Sequence, residues 1–363
     1  TEEKSSPTLL LRNFHGTPLV FAGTGTDPAR MTYPLDDPAW LTAYYFGYPA
    51  PKQAFTVPVD ARYAFYHPYG IDTLFSTPIS NWSATLKPVP PQELAPTAPL
   101  VTNDWYEVED DLIRFRPALH TVEEDIIIPS DLRVLIPGGT QLDFRKGAKF
   151  ISYAPVHIQG TEDNLVRIVS SDQCARGFTI LQAAGTSTLN YVIFDHFNTL
   201  QDRGWQLTGA VTFYESDVQM NHCIFDNNHC EDGLNIVRSK FNLNEVTVRN
   251  TPSDGFDADF CEGLIRNSYF TDTGNDGIDF SGSEITIDNC FMTRNGDKGI
   301  SAGEDSDVVV KKAVVDGAVI GAASKDLSFL RIENIELKNC NQGFAAYQKK
   351  PEYGPSIIQV DQY

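Results

Sequence analysis

From about Asp125 the chain is written in short apolar runs alternating with polar residues, as in DIIIPSDLRVLIPGGTQLDFRKGAKFI, broken by Gly, Pro and Asp. The period is two rather than 3.6, and the runs are too short and too rich in β-branched residues for helices, so they predict strands with one buried face. The runs also repeat. Gly233, Gly255, Gly277, Gly299, Gly321 and Gly343 recur every 22 residues. Two apolar or small columns keep the same step: Met220, Leu243, Ile265, Ile287, Val310, Ile332, and Cys223, Val246, Ser268, Cys290, Ala313, Ile335.

A 22-residue repeat built of strands is the coil of a parallel β-helix, in which each coil adds one rung to several parallel sheets and neighbours stack about 4.8 Å apart. The glycine column is expected at a bend where a Cβ would restrict the backbone. The fold class is therefore all-β, a solenoid over residues 121–363. Residues 1–120 have a different texture, holding 16 of the 22 prolines and three of the four tryptophans (Trp40, Trp82, Trp105). They are expected to form a separate Pro- and aromatic-rich N-terminal region, a cap or small β domain.

Alignment on the glycines assigns side-chain direction. The residue after each glycine (Leu234, Phe256, Ile278, Ile300, Ala322, Phe344) is apolar and points inward. The next residue points outward, giving the column Asn235, Asp257, Asp279, Ser301, Ala323, Ala345, with Val237, Asp259, Ser281, Gly303, Lys325, Tyr347 beside it. Mid-strand aspartate is disfavoured without a reason, and stacked like charges repel unless a cation or a proton intervenes. Asp257, Asp259 and Asp279 are thus the candidate functional acids, with Glu304 a fourth member. Asp232, Asp254 and Asp276, each just before a bend glycine, are expected to form turns.

Composition narrows the partners. With 28 Lys+Arg against 48 Asp+Glu the formal charge is −20, which argues against nucleic acid. No apolar run is long enough to insert in a membrane, and the first residues lack a signal-peptide core. The six cysteines show no metal-site spacing; Cys223 and Cys290 fall in an inward column and are expected to be buried thiols. His222 and His229 fall near bends and are expected to be turn or surface residues. Asn81-Trp82-Ser83 fits a glycosylation sequon.

The successive segments SDGFDADF, GNDGIDFSGS and GDKGISAGEDS resemble the coils of right-handed parallel β-helix proteins of the pectate-lyase-like superfamily over about residues 125–363. The resemblance implies a carbohydrate-active protein, most concretely a lyase-like enzyme on an acidic polysaccharide, with calcium held by Asp257, Asp259, Asp279 and Glu304. Lys298 would be the base that removes the proton α to a carboxylate, its pKa lowered by neighbouring positive charge, with Asp257 and Asp279 assisting. Arg238, Lys325, Tyr347 and Lys349 would bind substrate. It further implies a secreted, periplasmic or cell-surface location. The glycine-flanked histidine and Arg-Ile-Lys of polygalacturonases and the Asp-Pro-His-Asp of alginate epimerases are absent. Two alternatives stand beside the lyase: a non-catalytic structural or adhesive module of a surface assembly, and a two-carboxylate glycoside hydrolase.

Overall fold

A computed structural model describes residues 7–44, 51–80, 100, 102–202 and 204–363. Among these there is no helix, and the chain divides into two compact units, Thr1–Val89 and Pro90–Tyr363. The glycosylation sequon at Asn81 lies outside the described residues. No helix is long and apolar enough to cross a membrane among those described.

The first unit holds a four-stranded antiparallel sheet in the order Tyr33–Leu41, Leu19–Gly25, Tyr63–Pro68, Phe75–Pro78, and a two-stranded sheet of Thr8–Arg12 with Lys52–Thr56. Its buried core is small: Leu9, Phe21, Leu41, Val57, Ala61 and Ala64. The expected boundary near residue 120 moves toward the N-terminus. Tyr106–Glu109 pairs antiparallel with Leu112–Phe115, which runs parallel to Arg133–Pro137, and Leu119–Val122 lies on Gln141–Phe144. Proline content hid this, because the first rungs are short strands reached through a Pro-rich lead.

The second unit is the solenoid. One parallel sheet has ten strands, from Ile126–Ile128 to Gln342–Tyr347, and two further stacks of parallel strands complete each coil. The predicted inward columns are inside: Met220, Leu243, Ile265, Ile287, Val310 and Ile332 are fully buried. They join a single core that runs the length of the coil stack. Stacked rings fill the early rungs, Phe150 on Phe178 at 4.2 Å and Phe194 on Phe225 at 5.1 Å. Cys223 and Cys290 are buried free thiols, and burial pushes their pKa up to about 12 and about 11.

The glycine column owes its identity to close approach rather than to backbone freedom, since none of the six has a positive φ. A Cβ on Gly255 would sit 2.6 Å from the carbonyl oxygen of Gly277, and one on Gly299 2.8 Å from that of Gly321. Left-handed backbone occurs instead at the other bends, on Asn, Asp, Glu, His and Arg residues such as His222, Asn267 and Arg238. At one bend asparagines form a ladder, Asn221 donating to Asn190, Asn244 to Asn221, Asn267 to Asn244 and Asn289 to Asn267. His222 belongs to such a bend, stacked on Tyr191 at 4.2 Å and 3.0 Å from Glu245.

Two features border the outward face of the ten-stranded sheet. The coil after Phe178 is longer than 22 residues, and its hairpin of Gln201–Asp202 and Trp205–Gln206 brings Leu200, Trp205 and Leu207 onto Ile151 and Tyr153. Lys149 ties it down through Asp202 at 3.1 Å and Asp125 at 2.7 Å. At the other end the segment after Tyr347 is pinned by Asp326, whose carboxylate accepts the backbone N–H groups of Lys349 and Lys350.

Candidate active site

The outward column predicted from the glycine register exists. Thr179, Thr212, Asn235, Asp257, Asp279, Ser301, Ala323 and Ala345 are successive cross-strand partners. Asp257 and Asp279 are therefore directly opposed on adjacent rungs, and Asp259 opposes Ser281. The expectation that this column is exposed is corrected: Asn235 is 2 % exposed and Ser301 and Ala323 are fully buried. Short side chains in mid-sheet are sealed by the longer ones beside them, notably Lys298 and Lys325, which are themselves buried.

The two opposed acids have different surroundings. Asp279 has a cation: Lys325 Nζ lies 3.2 Å from its Oδ1 and 3.5 Å from Oδ2. Asp279 also accepts the backbone N–H of Phe280 at 3.0 Å. Lys325 reaches back two rungs for this contact, passing over Gly303, where a Cβ would stand 3.1 Å from its Cε. That glycine is open space reserved for a lysine, which the sequence did not reveal. Asp257 has no such partner. Its half-buried carboxyl is held well above the usual range, first by burial and then by the carboxylates of Asp232, Asp259 and Asp279. Asp259 is also raised, by burial and by Asp279 and Glu304.

The acids before the bend glycines differ from the expected turn formers: Asp232 and Asp254 open strands, and Asp254 and Asp276 accept backbone N–H groups of the next rung. Asp254 accepts Asn275 Nδ2 and the backbone N–H of Asp276, each at 2.7 Å, and Asp276 accepts the backbone N–H of Lys298 at 3.0 Å. Burial is the main force on all three: it takes Asp232 to about 7 and Asp276 to about 6 and raises Asp254. In Asp276 the repulsion of Asp279 adds to burial and outweighs Lys298.

Lys298 departs from its predicted role. Its ammonium lies 3.2 Å from Asp276 Oδ1 and 2.5 Å from Asp297 Oδ2. Burial acts to lower its pKa, but the two carboxylates prevail and hold it above the ordinary lysine value, the reverse of what a general base needs. The neighbouring positive charge counted in the sequence is outweighed by Asp297, one residue away in a bend. Lys325 is likewise raised, burial being overcome by Asp279 and Asp276.

The remaining predicted residues scatter along the rim. Arg238 is exposed, donates to Tyr214 Oη at 3.0 Å and lies 5.2 Å from the Phe260 ring centre. Glu304 accepts from Ser281 and pairs with Lys350. Tyr347, opposite Lys325 on the last rung of the ten-stranded sheet, and Lys349 just after it are exposed, four rungs on from the Asp257 strand. Among the described residues no three His, Cys, Asp or Glu side chains converge as a preformed metal cage.

Parallel rungs stacked around a single core define a parallel β-helix. Residues 232–358 match the family described as right handed beta helix region. No curated protein matches the chain. Among solved structures it is similar to a pectate lyase (11% identity, 64% of this chain and 70% of that one, TM-score 0.32). It is also similar to a periplasmic alginate epimerase (12%, 75% and 82%, TM-score 0.34) and to the catalytic unit of an alpha-1,3-glucanase from Streptomyces thermodiastaticus (8%, 98% and 88%, TM-score 0.31). At such scores these likenesses decide nothing about this chain's chemistry.

Proposed function

We propose that the protein is a carbohydrate-active enzyme, acting outside the cytoplasm, that hydrolyses a glycosidic bond with the carboxyl pair Asp257 and Asp279. One observation carries this reading: two aspartates face each other on adjacent rungs, one fixed against an ammonium 3.2 Å away and the other without a cation, its pKa pushed well above the usual range by burial among carboxylates. Acid and base roles on one site arise where the environments of two carboxyls differ in this way. Asp257 gives its proton to the glycosidic oxygen as the bond to the sugar carbon breaks. The Asp279 carboxylate bonds that carbon from the other side, and water, deprotonated by Asp257, later displaces it. Lys325 holds the Asp279 carboxylate in place.

Rung spacing of about 4.8 Å brings the pair near the roughly 5–5.5 Å separation of retaining hydrolysis. Retention of anomeric configuration is expected. Inversion would favour Asp257 with Asp259, two residues along one strand and about 6.7 Å apart.

The lyase reading needs an uncharged lysine and a calcium ion. Lys298 and Lys325 are both held in the charged form by carboxylates. Calcium binding by Asp257, Asp259, Asp279 and Glu304 would require the side chains to close together, and a calcium-induced rise in Tm lost in Asp259→Ala would establish it. The deciding experiment is a polysaccharide panel assayed for new reducing ends and, in parallel, for the ultraviolet absorbance of unsaturated uronyl ends. Reducing ends without absorbance, abolished by Asp257→Asn and by Asp279→Asn, support hydrolysis. Absorbance restores the lyase, and silence in both assays leaves the non-catalytic surface module.

A further inference from the structure

At the bend that leads into the ten-stranded sheet, three successive rungs border a cavity of about 610 Å³. Arg176, Asn198 and His229 share one register position there, Arg176 bridging in parallel to Asn198 and Asn198 to His229. The backbone carries that register: Asn198 donates its N–H to Ala175, and His229 to Phe197. Ala175, Phe197 and Asn228, each one residue earlier, are buried, so alternation turns Arg176, Asn198 and His229 outward. Lys146 joins the lining from the rung before, and Gln201 from the start of the hairpin.

The lining has one sign. It holds Lys146, Arg176 and His229 and, among the described residues, no aspartate or glutamate, in a chain whose formal charge is −20. Asp172 is committed to the bend, accepting the backbone N–H groups of Lys146 at 2.8 Å and Cys174 at 3.0 Å, while Glu123 lies 2.6 Å from the Lys146 ammonium. Arg176 has no ion-pair or side-chain hydrogen-bond partner among the described residues. Its side chain lies across Gly147, whose φ is +78° and where a Cβ would stand 3.4 Å from Arg176 Nε. Unpaired arginines also stand on open strands, Arg167 and Arg266 among them; Arg176 differs in facing a cavity with an imidazole and amides around it. The opening of about 440 Å³ at the bend beyond the sheet is mixed in sign, for Arg238 and Lys240 share it with Asp217, Glu262 and Glu284.

A free guanidinium fork matches the geometry of an oxyanion, and an imidazole offers a ring N–H in either charge state. We propose that this cavity binds a small ligand through a phosphate, sulfate or carboxylate group, which lies on Arg176 with the rest of the ligand against Asn198, Gln201 and His229. Asn198 donates through Nδ2 to the carbonyls of Gln173 at 2.8 Å and Ala175 at 3.1 Å, which fixes the amide and leaves Oδ1 to accept a hydroxyl. The volume is in the range of small-molecule sites, roughly 300–1,000 Å³. The acid pair lies on later rungs, in Asp254–Asp259 and Ile278–Ser281, and the site does not depend on the hydrolase reading.

Calorimetry on the full chain at constant ionic strength tests this with inorganic phosphate, sulfate, glucose 6-phosphate, glucose 6-sulfate and glucuronate, which separate the three groups, and with glucose as the neutral control. At least one anion is expected to bind and glucose not to. Arg176→Gln should weaken that binding about tenfold or more and His229→Ala about fivefold, with Arg176→Lys recovering part. Arg266→Gln, outside the cavity, and Asp257→Asn should leave it unchanged. Arg176 and His229 are exposed, so Tm should hold; should Arg176→Gln misfold, His229→Ala reads the same site. No binding of any anion, glucose bound as tightly as the anions, or unchanged affinity in Arg176→Gln overturns the proposal. An equal loss in Arg266→Gln also overturns it, as the mark of diffuse charge rather than a site.

Discussion

Two polar columns run up this solenoid at the same rung spacing, and they are finished differently. At a bend, Asn190, Asn221, Asn244, Asn267 and Asn289 hand hydrogen bonds from one to the next at 2.9–3.4 Å. On the ten-stranded sheet, Thr212, Asn235, Asp257, Asp279 and Ser301 stack equally well, yet Thr212 Oγ1, Asn235 Nδ2 and Ser301 Oγ find no partner. A stack of amides satisfies itself, because every amide both donates and accepts. A stack interrupted by carboxylates cannot, since ionised acids only accept and unlike side chains do not reach one another. The first column is completed within the chain; the second leaves buried polar atoms unpaired around the two acids.

The comparison can be broken most forcibly at the acids. Asp279→Asn and Asp257→Asn should each lower turnover by about 10²–10⁴-fold, the range of a lost acid–base or nucleophilic partner, in the reducing-end assay. Asp257→Asn should not lower Tm, since it removes a crowded carboxylate, whereas Asp279→Asn takes the partner from the buried Lys325 and should lower it.

Next in size is the buried cation. Lys298→Met strips Asp276 of its ammonium, and breaking a buried pair by removing one partner costs about 3–5 kcal/mol. Thermal unfolding at neutral pH checks this. Asp276→Asn added to Lys298→Met should recover part of the loss, which it would not do if Lys298 mattered only for packing.

Asp232 gives a pH-dependent effect of intermediate size. Its folded pKa, raised to about 7 chiefly by burial, means the native state holds a proton that the unfolded chain has lost above about 4. Stability from this group is fully present below the unfolded value and falls as pH rises toward 7. Asp232→Asn should therefore leave the unfolding free energy unchanged near pH 4 and raise it near pH 8, by on the order of 1–3 kcal/mol once coupling to Asp254 is allowed for, as denaturant unfolding at the two pH values checks.

The smallest effect tests the control column. Asn244→Ala interrupts the amide ladder between Asn221 and Asn267 and should cost about 1 kcal/mol in denaturant unfolding, with no change in glycan binding or turnover. A change in binding there would erase the distinction between the two columns.

Much of this molecule was legible in the chain because a solenoid turns long-range contacts into a fixed sequence step. The 22-residue period alone opposed Asp257 to Asp279 and put Met220, Leu243 and Ile265 inside. It did not show that Asp254 and Asp276 would bond the backbone of the next rung. The first rungs escaped, because they lie among prolines and repeat at other spacings. Within the site, the misreading of Lys298 and Lys325 has one cause. Sequence register fixes where a Cα stands, but a lysine is long enough to choose among carboxylates on its own rung, the one before and the one before that.

The alternation of apolar and polar residues and the glycine step thus determined the class of fold, the buried columns and the face that carries the acids. Packing alone decided which acid is paired with a cation, which is crowded by other carboxylates and which polar atoms go without a partner. Those outcomes depend on solvent exclusion and on distances of a few ångströms between side-chain ends, and both are set only once neighbouring coils close over one another.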